Sequence, residues 1–355
     1  LEKGAMVMGK EELRVGFVGA GNIVRERHVP GLRKIPGVRL AGVANRSRGS
    51  SERAAAEFDI ERVYPSWEEL VRSDEIDAVF IGTWPYMHCP VTLAALESGK
   101  HVFCQARMCM DYDEARQMLL ASQQSEKVTM LCPPPVGLAG DYWMRDLLAG
   151  GFVGEPRSIQ LRAMAPSLLD PDAPLHWRQD RSLSGYNTLT VGIYAEVIHR
   201  WFGYAARVTS ATRVFTTRRP LQDGSGMAEV TVPDAVFAAV EMESGALASM
   251  QWSGVAAFPE PSVLEVHGSE GTLRYLLDED QILGGRVGDG SLRPLPIPPD
   301  KVRHWTVEED FVAAIREGRP ASPSFYDGLK YMEFTEAVIR SGEERRSISL
   351  PLEAS

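Results

Sequence analysis

The stretch RVGFVGAGNIV near the start of the chain holds the clearest chemistry-bearing spacing. An apolar run, 13–18, breaks at Gly19–Ala20–Gly21 and passes into a helical pattern at Asn22 and Ile23. A glycine at 19 permits a tight turn, and one at 21 lets the backbone approach a pyrophosphate. The helix start then offers its N–H groups to the anion. Val24 takes the third small position, so the full Gly-x-Gly-x-x-Gly pattern is not met. Its place between a strand and a helix still predicts a dinucleotide site. Asn45, after the second strand, stands where NAD enzymes usually place an acid on the ribose hydroxyls. An amide does not repel a 2′-phosphate, and Arg46 and Ser47 add a planar cation and a hydroxyl. These residues predict NADP(H) over NAD(H). Further on, His176 lies beside Trp177 and Arg178 in a Pro-rich loop and has the near-neutral titration of an acid or base. The seven histidines show no ligand spacing with one another or with the cysteines, so no metal site is expected.

These residues need a scaffold, and the rhythm of the chain describes one. Short apolar strands at 13–18, 38–43, 78–81, 101–104 and 128–131 alternate with helical patterns at 22–33, 50–58, 67–71, 91–98 and 113–124, with Pro30 marking a bend or loop in the first. Such alternation means a parallel, doubly wound α/β sheet with right-handed crossovers. The run Cys132–Pro133–Pro134–Pro135 cannot continue a helix or central strand, which divides the chain into 13–133 and 134–355. In the second part a helix at 141–149 precedes longer alternating segments at 157–162, 207–214, 236–243, 246–252, 263–267 and 272–277. They predict an α+β domain with a large, mostly antiparallel open sheet and few helices on one face. The apolar sets on both sides of 236–243 and 246–252 predict a homo-oligomer, dimer or tetramer, built partly through that sheet.

The chain has 355 residues, 44% hydrophobic and 24% charged, which suits a globular protein of about two domains. A formal charge of −10 argues against nucleic-acid and anionic-membrane partners. No apolar stretch approaches a membrane span of about 18 residues. The first 14 residues lack the apolar core of a secretory signal and read as a disordered tail or expression scar, with Met6 or Met8 a plausible start. Four cysteines, 89, 104, 109 and 132, sit in apolar segments without a CxxC pair, as buried thiols of a reducing cytoplasm do.

With these residues in view, the chain resembles the Gfo/Idh/MocA oxidoreductases, a family of sugar and cyclitol dehydrogenases and reductases. The resemblance rests on GAGNIVRERHVP and GTWPYMHCPVTLAALESGKHVFCQARM, then on HWRQDRSLSG, GIYAEVIHRWFG, VEMESGALASMQWSG, EVHGSEGTLR and FVAAIREGRPASPS. It implies a Rossmann domain, a bound nicotinamide dinucleotide and an α/β domain that often mediates oligomers. It also implies that Thr83, Pro85 and His88 contact the cofactor ribose, with Tyr86 replacing an asparagine, and that Trp177 and Arg178 reach the nicotinamide end. Where the family carries Glu-Lys-Pro, this chain reads Gln105–Ala106–Arg107, so Gln105 remains on the cofactor side and the usual lysine is Ala106. Where the family starts a helix with Asp-x-x-x-His, this chain has Thr190 and Tyr194.

Thr190 and Tyr194 are four apart and share a helical face, which makes both substrate candidates. Tyr194 then stands in the usual place of the histidine, and Arg107 or Arg178 is expected to lower its phenol toward a working range. Tyr194, His176 and Arg107 are the acid–base candidates, with His176 also a substrate contact. His199 falls about 140° away around the helix and reads as structural, while Glu196 and Arg200 form an i,i+4 pair on a solvated or interface face. The leading expectation is hydride transfer to or from a sugar, cyclitol or other polyhydroxylated substrate through non-standard acid–base groups. The alternatives are a non-catalytic dinucleotide or sugar sensor and a redox-neutral sugar-cleaving enzyme with a tightly held cofactor.

Overall fold

The computed structural model describes residues 12–133 and 138–353. The expected N-terminal tail and most of the Pro-rich run at the domain boundary lie outside them. The chain divides into two compact units, one of residues 1–105, 117–133 and 306–325, the other of 106–116, 134–305 and 326–355. Two segments are thus exchanged relative to a single cut at 133/134.

In the first unit, β1 (Leu13–Val18) leads through a π-helical turn, Val24–His28, into α1 (Val29–Leu32). The Val29 N–H donates to the Val24 carbonyl, five residues back. Pro30 has no N–H and its ring would strike the carbonyl four residues earlier, so the widened turn carries the helix past it where a bend or loop was expected. Then follow β2 (Val38–Ala44), α2 (Arg48–Glu57), β3 (Arg62–Val63), α3 (Trp67–Arg72), β4 (Ala78–Ile81), α4 (His88–Glu97), β5 (His101–Cys104), α5 (Tyr112–Gln123) and β6 (Thr129–Leu131). The strands form one parallel sheet, ordered β3-β2-β1-β4-β5-β6. This is a Rossmann sheet, and its order reverses between β1 and β4, where ligands of such folds bind. β4, inside the sheet, is apolar and buried throughout, as burial on both faces requires.

The second unit holds α6 (Asp141–Ala149), β7 (Pro156–Met164), α7 (Arg181–Ser184), α8 (Val191–Phe202), β8 (Ala205–Arg213), β9 (Arg218–Pro220), β10 (Met227–Glu229), β11 (Ala235–Met242), β12 (Leu247–Ser253), β13 (Val263–Gly268), β14 (Gly271–Leu276), β15 (Gln281–Arg286) and β16 (Arg293–Pro294). After them come α9 (Val307–Glu317), which belongs to the first unit, α10 (Phe325–Glu344) and β17 (Ile348–Ser349). Nine strands pair in the order β16-β15-β14-β13-β7-β12-β11-β8-β17, and only β7 and β12 run parallel. One face is covered: the Ser210 N–H of β8 donates to Ser341 Oγ of α10 at 2.9 Å. The other presents Phe237 and Leu247, 46% and 61% exposed. Among the described residues no helix is long and apolar enough to cross a membrane.

α9 supplies the first unit with a buried polar chain. His28 Nδ1–H donates to Glu308 Oε1 at 2.5 Å, and Gln105 Nε2–H donates to His28 Nε2 at 2.5 Å. Phe80 stacks on Phe103 at 4.5 Å, and His28 and Phe311 pack edge-on around them. Gly31 makes room, since a Cβ there would stand 2.6 Å from the Glu308 carboxylate. The helix from the far end of the sequence thereby fixes the end of β5.

Candidate functional site

Within the first unit, a cavity of about 350 Å³ opens at the carboxyl ends of β1, β2 and β4. Gly19, Ala20 and Gly21 form one wall, Asn45, Arg46 and Ser50 a second, and Gly82, Thr83, Trp84 and Tyr86 a third. Gly19 has φ +83°, and a Cβ on it would meet the Thr83 backbone nitrogen at 2.8 Å. A Cβ on Gly21 would meet nothing within 4 Å, so the second glycine borders open space, as a cradle for a pyrophosphate requires. Thr83 Oγ1 is buried without a hydrogen-bond partner among the described residues. Space beside Gly21 and an unsatisfied hydroxyl together fit a dinucleotide.

Asn45 lines the cavity and is also engaged from within the protein. Its Oδ1 accepts from the Ala20 N–H at 2.7 Å and its Nδ2 donates to the Ser50 carbonyl at 3.0 Å. The amide clamps the glycine loop to the start of α2. Ser47 caps α2, accepting from the Ser50 N–H at 3.3 Å, and does not line the cavity. Arg46 does, with its guanidinium 5.7 Å from the Trp84 ring. Pro85, Asn22 and Ile23 are not among the lining residues. His88 is buried, and its Nε2 meets the Thr83 carbonyl at 2.9 Å, positioning the loop from inside. Gln105 is buried on His28. Ala20, Ser50, Gly82 and Trp84 went unmarked in the sequence; their signal was adjacency to strand ends. Tyr86 was noted only as a replacement.

A second cavity, of about 390 Å³, lies wholly inside the second unit. Arg107, His176, Arg178, Thr190 and Tyr194 all line it, so five of the sequence candidates come together; Trp177 does not line it. The Arg107 segment is held firmly. The Met108 N–H donates to Tyr331 Oη, Asn187 Nδ2–H donates to the Cys109 carbonyl at 2.7 Å, and the Tyr186 N–H to the Met110 carbonyl at 2.8 Å. Gly192, in the first turn of α8, leaves room for the arginine stem, because a Cβ there would stand 3.2 Å from Arg107 Cδ. Burial and the charge of Arg178 lower the Arg107 guanidinium to about 10. The Arg178 guanidinium lies 4.2 Å from the Trp177 ring.

Two expectations are corrected here. Burial, aided by the charge of Asp278, pushes the Tyr194 phenol up to about 12. The arginines were expected to lower it, but the groups that set it, burial of the phenolate and Asp278, both raise it. Glu196 and Arg200 are not a solvated pair. They meet at 2.9 Å inside a cluster in which buried Asp141 accepts from Trp201 Nε1–H at 2.7 Å and faces Arg200 and Arg303. His199 packs edge-on against Tyr204 and Phe334, and burial drives its pKa to about 3. His176 caps a short 3-10 turn, Trp177–Gln179: its Nδ1 accepts from the Arg178 N–H at 3.3 Å. Desolvation and then the Arg178 charge lower its pKa.

Residues 13–132 match a family described as "Oxidoreductase family, NAD-binding Rossmann fold", and residues 143–274 match the "GFO/IDH/MocA C-terminal domain". A levoglucosan dehydrogenase of Pseudarthrobacter phenanthrenivorans is 25% identical over 340 residues, covering 84% of this chain and 86% of that protein. A 1,5-anhydro-D-fructose reductase of Ensifer adhaerens is 28% identical over 338 residues, covering 92% and 96%. A solved levoglucosan dehydrogenase in complex with NADH and L-sorbose shares the fold, with a TM-score of 0.86 at 21% identity over 97% of this chain and 100% of that one.

Proposed function

Because the chain belongs to the Gfo/Idh/MocA oxidoreductase family, we propose that it moves hydride between a nicotinamide dinucleotide and a sugar, cyclitol or related polyhydroxylated substrate. The observation that carries this reading is the glycine-walled cavity at the switch point of the parallel sheet, with open space at Gly21 and the unsatisfied Thr83 hydroxyl. The levoglucosan dehydrogenase and anhydrofructose reductase relatives support the substrate class. In the bound state the dinucleotide supplies or accepts the hydride. Gly19, Gly21 and Thr83 hold it, and Arg46 at the cavity wall favours a 2′-phosphate. Preference for NADP(H) follows from that cation and from the lack of any carboxylate among the described lining residues.

The second cavity binds the substrate. A phenol held near 12 keeps its proton at neutral pH, so Tyr194 donates a hydrogen bond, and finally a proton, to the oxygen at the reacting carbon. His176 is neutral at pH 7 by the direction of its shift, and its Nδ1 is already an acceptor. It therefore offers Nε2–H as a second donor. Thr190 orients the hydroxyls. Two donors and no carboxylate base favour the carbonyl substrate, hence reduction. Residues 13–133 carry the cofactor site, and 134–355, with Arg107 from the earlier segment, carry the substrate site and the open sheet face, through which we propose that copies of the chain associate. The cysteines form no disulfide, which supports a cytoplasmic setting.

The test follows the absorbance of the reduced nicotinamide with NADPH or NADH and a panel of keto sugars and inosose-type ketones, then the reverse with the alcohols. Consumption of NADPH with any of these supports the reading. No exchange in either direction across the panel refutes it.

A further inference from the structure

The second cavity carries a charge that a neutral polyol does not call for. Arg107 and Arg178 both line it, and burial followed by the charge of Arg178 lowers the Arg107 guanidinium. Among the described residues of the lining there is neither Asp nor Glu. Asp278 is exposed and acts on Tyr194 from outside the lining. α8, twelve residues long, begins at the cavity wall with Thr190 as its N-cap, and its first turn carries no acid. The positive end of that helix adds to the same sign of potential. Arg107 is only 7% exposed, and its backbone is tied to Tyr331 and Asn187 through its neighbours. Its placement is therefore prepared by the fold. Arg178 is braced by Trp177. Two cations within one small cavity repel each other, and an anion entering between them relieves the repulsion while gaining charge-assisted hydrogen bonds.

We propose that the substrate is an acidic one: a polyhydroxylated molecule bearing a carboxylate, of the uronate or aldonate type, with Arg107 and Arg178 as its specificity residues. The proposal rests on the reading of this cavity as the substrate site and deepens it. The hydroxyls of Ser253, Ser262 and Thr190 in the same lining suit the remaining oxygens. A cavity of about 390 Å³ is of the size that holds one small ligand.

Calorimetric titration of the full chain tests this without requiring turnover. D-glucuronate, D-galacturonate and D-gluconate are compared with D-glucose, D-galactose and myo-inositol, with and without saturating NADPH. D-glucose 6-phosphate and inorganic phosphate are added as a separate arm. At least one acid should bind about tenfold or more tighter than its neutral counterpart, the advantage of a hydrogen bond to a charged group, and added salt should shrink the difference. Arg178→Gln, at an exposed position, should erase most of the preference with little change in melting temperature, and Arg107→Gln should do the same where it folds. Equal affinity for acids and neutral sugars, or binding of neither, overturns the proposal. So does a preference that NADPH abolishes, since the arginines would then serve the cofactor's phosphates, or one that survives Arg178→Gln intact. Tighter binding of the phosphate arm than of every carboxylate replaces the carboxylate with a phosphoester. Hydride exchange is scored separately: acids that bind but are never oxidised or reduced overturn the oxidoreductase reading alone, and turnover of neutral ketones without acid preference overturns this one alone.

Discussion

Tyr194 offers the sharpest test of the proton chemistry. Its side chain is 5% exposed, and desolvation together with Asp278 raises the phenol from its usual value near 10 to about 12. At pH 8 an ordinary tyrosine is ionised in about one molecule in a hundred, and this one in roughly one in 10⁴. A base drawn from so small a fraction gives away about a hundredfold in rate. The protonated phenol, by contrast, is fully populated throughout the working range. Tyr194→Phe keeps the ring and removes the donor. Ketone reduction should then lose about 10²-fold or more in kcat, the typical share of general acid catalysis. The dissociation constant of NADPH and the melting temperature should barely move.

The decisive assay is the pH profile of kcat for ketone reduction between pH 6 and 10, in the wild type and in Tyr194→Phe. With the phenol near 12 the wild-type profile shows no basic limb from this group in that window. A limb centred at or below about pH 9 that disappears in the phenylalanine variant refutes the reasoning, because the phenol would then ionise as if a cation stabilised it. Full activity in Tyr194→Phe refutes the role itself.

Other consequences are equally direct. Gly19→Ala places a Cβ against the Thr83 backbone at φ +83°; thermal or denaturant melting should show a loss of roughly 2–5 kcal/mol from left-handed strain plus overpacking. Gly21→Ala meets no atom, so it should melt like the wild type yet bind NADPH at least about tenfold more weakly by calorimetry, the cost of a methyl where a pyrophosphate should pass. Arg46→Ala should weaken NADPH by roughly tenfold and leave NADH unchanged; equal affinities of the wild type for both cofactors would contradict the assignment. His199 has a folded pKa of about 3 against an ordinary 6.5, so the unfolded chain binds its proton first as pH falls. Stability is therefore lost below about pH 6.5, by up to about 1.4 kcal/mol per pH unit until pH 3, and His199→Gln should flatten that share of the denaturation curve.

The first unit was legible because its signals are local. A strand that meets a Gly-x-Gly turn and a helix needs no distant residue to be recognised, and burial on both faces leaves a short apolar run such as β4. The assignment of individual polar side chains was less legible. Asn45 lines the cavity, but its amide also holds the Ala20 N–H and the Ser50 carbonyl, and Ser47 serves as a helix cap. A sequence shows which donors are near a strand end, not which of them the backbone has already engaged. α10 was hidden for a different reason. Residues 331–339 are buried on every side, Glu333 and Glu336 among them, so no polar stripe marks the helical period. Glu333 survives there because Lys330 and the Leu352 N–H satisfy it.

The second cavity draws its wall from residues as far apart as Arg107 and Ser262. Only the Thr190–Tyr194 spacing within it was a local signal. Its electrostatic character is a property of none of its segments: Arg107 follows a strand end, Arg178 closes a short turn, and each would pass for a solvated charge alone. Their effect on Tyr194 was inferred from charge type, and that inference failed because burial and then the charge of Asp278, neither of which the spacing of residues reports, set the phenol. Desolvation penalises the phenolate of Tyr194 and the cation of Arg107 alike. The same burial thus keeps a proton on the phenol and strengthens the pull of Arg107 on an anion. Proton donation and recognition of an acidic substrate are, on this reasoning, two effects of one low-dielectric wall. Opening that wall with a polar substitution at Ile193, which lines the cavity between Thr190 and Tyr194, should weaken both together.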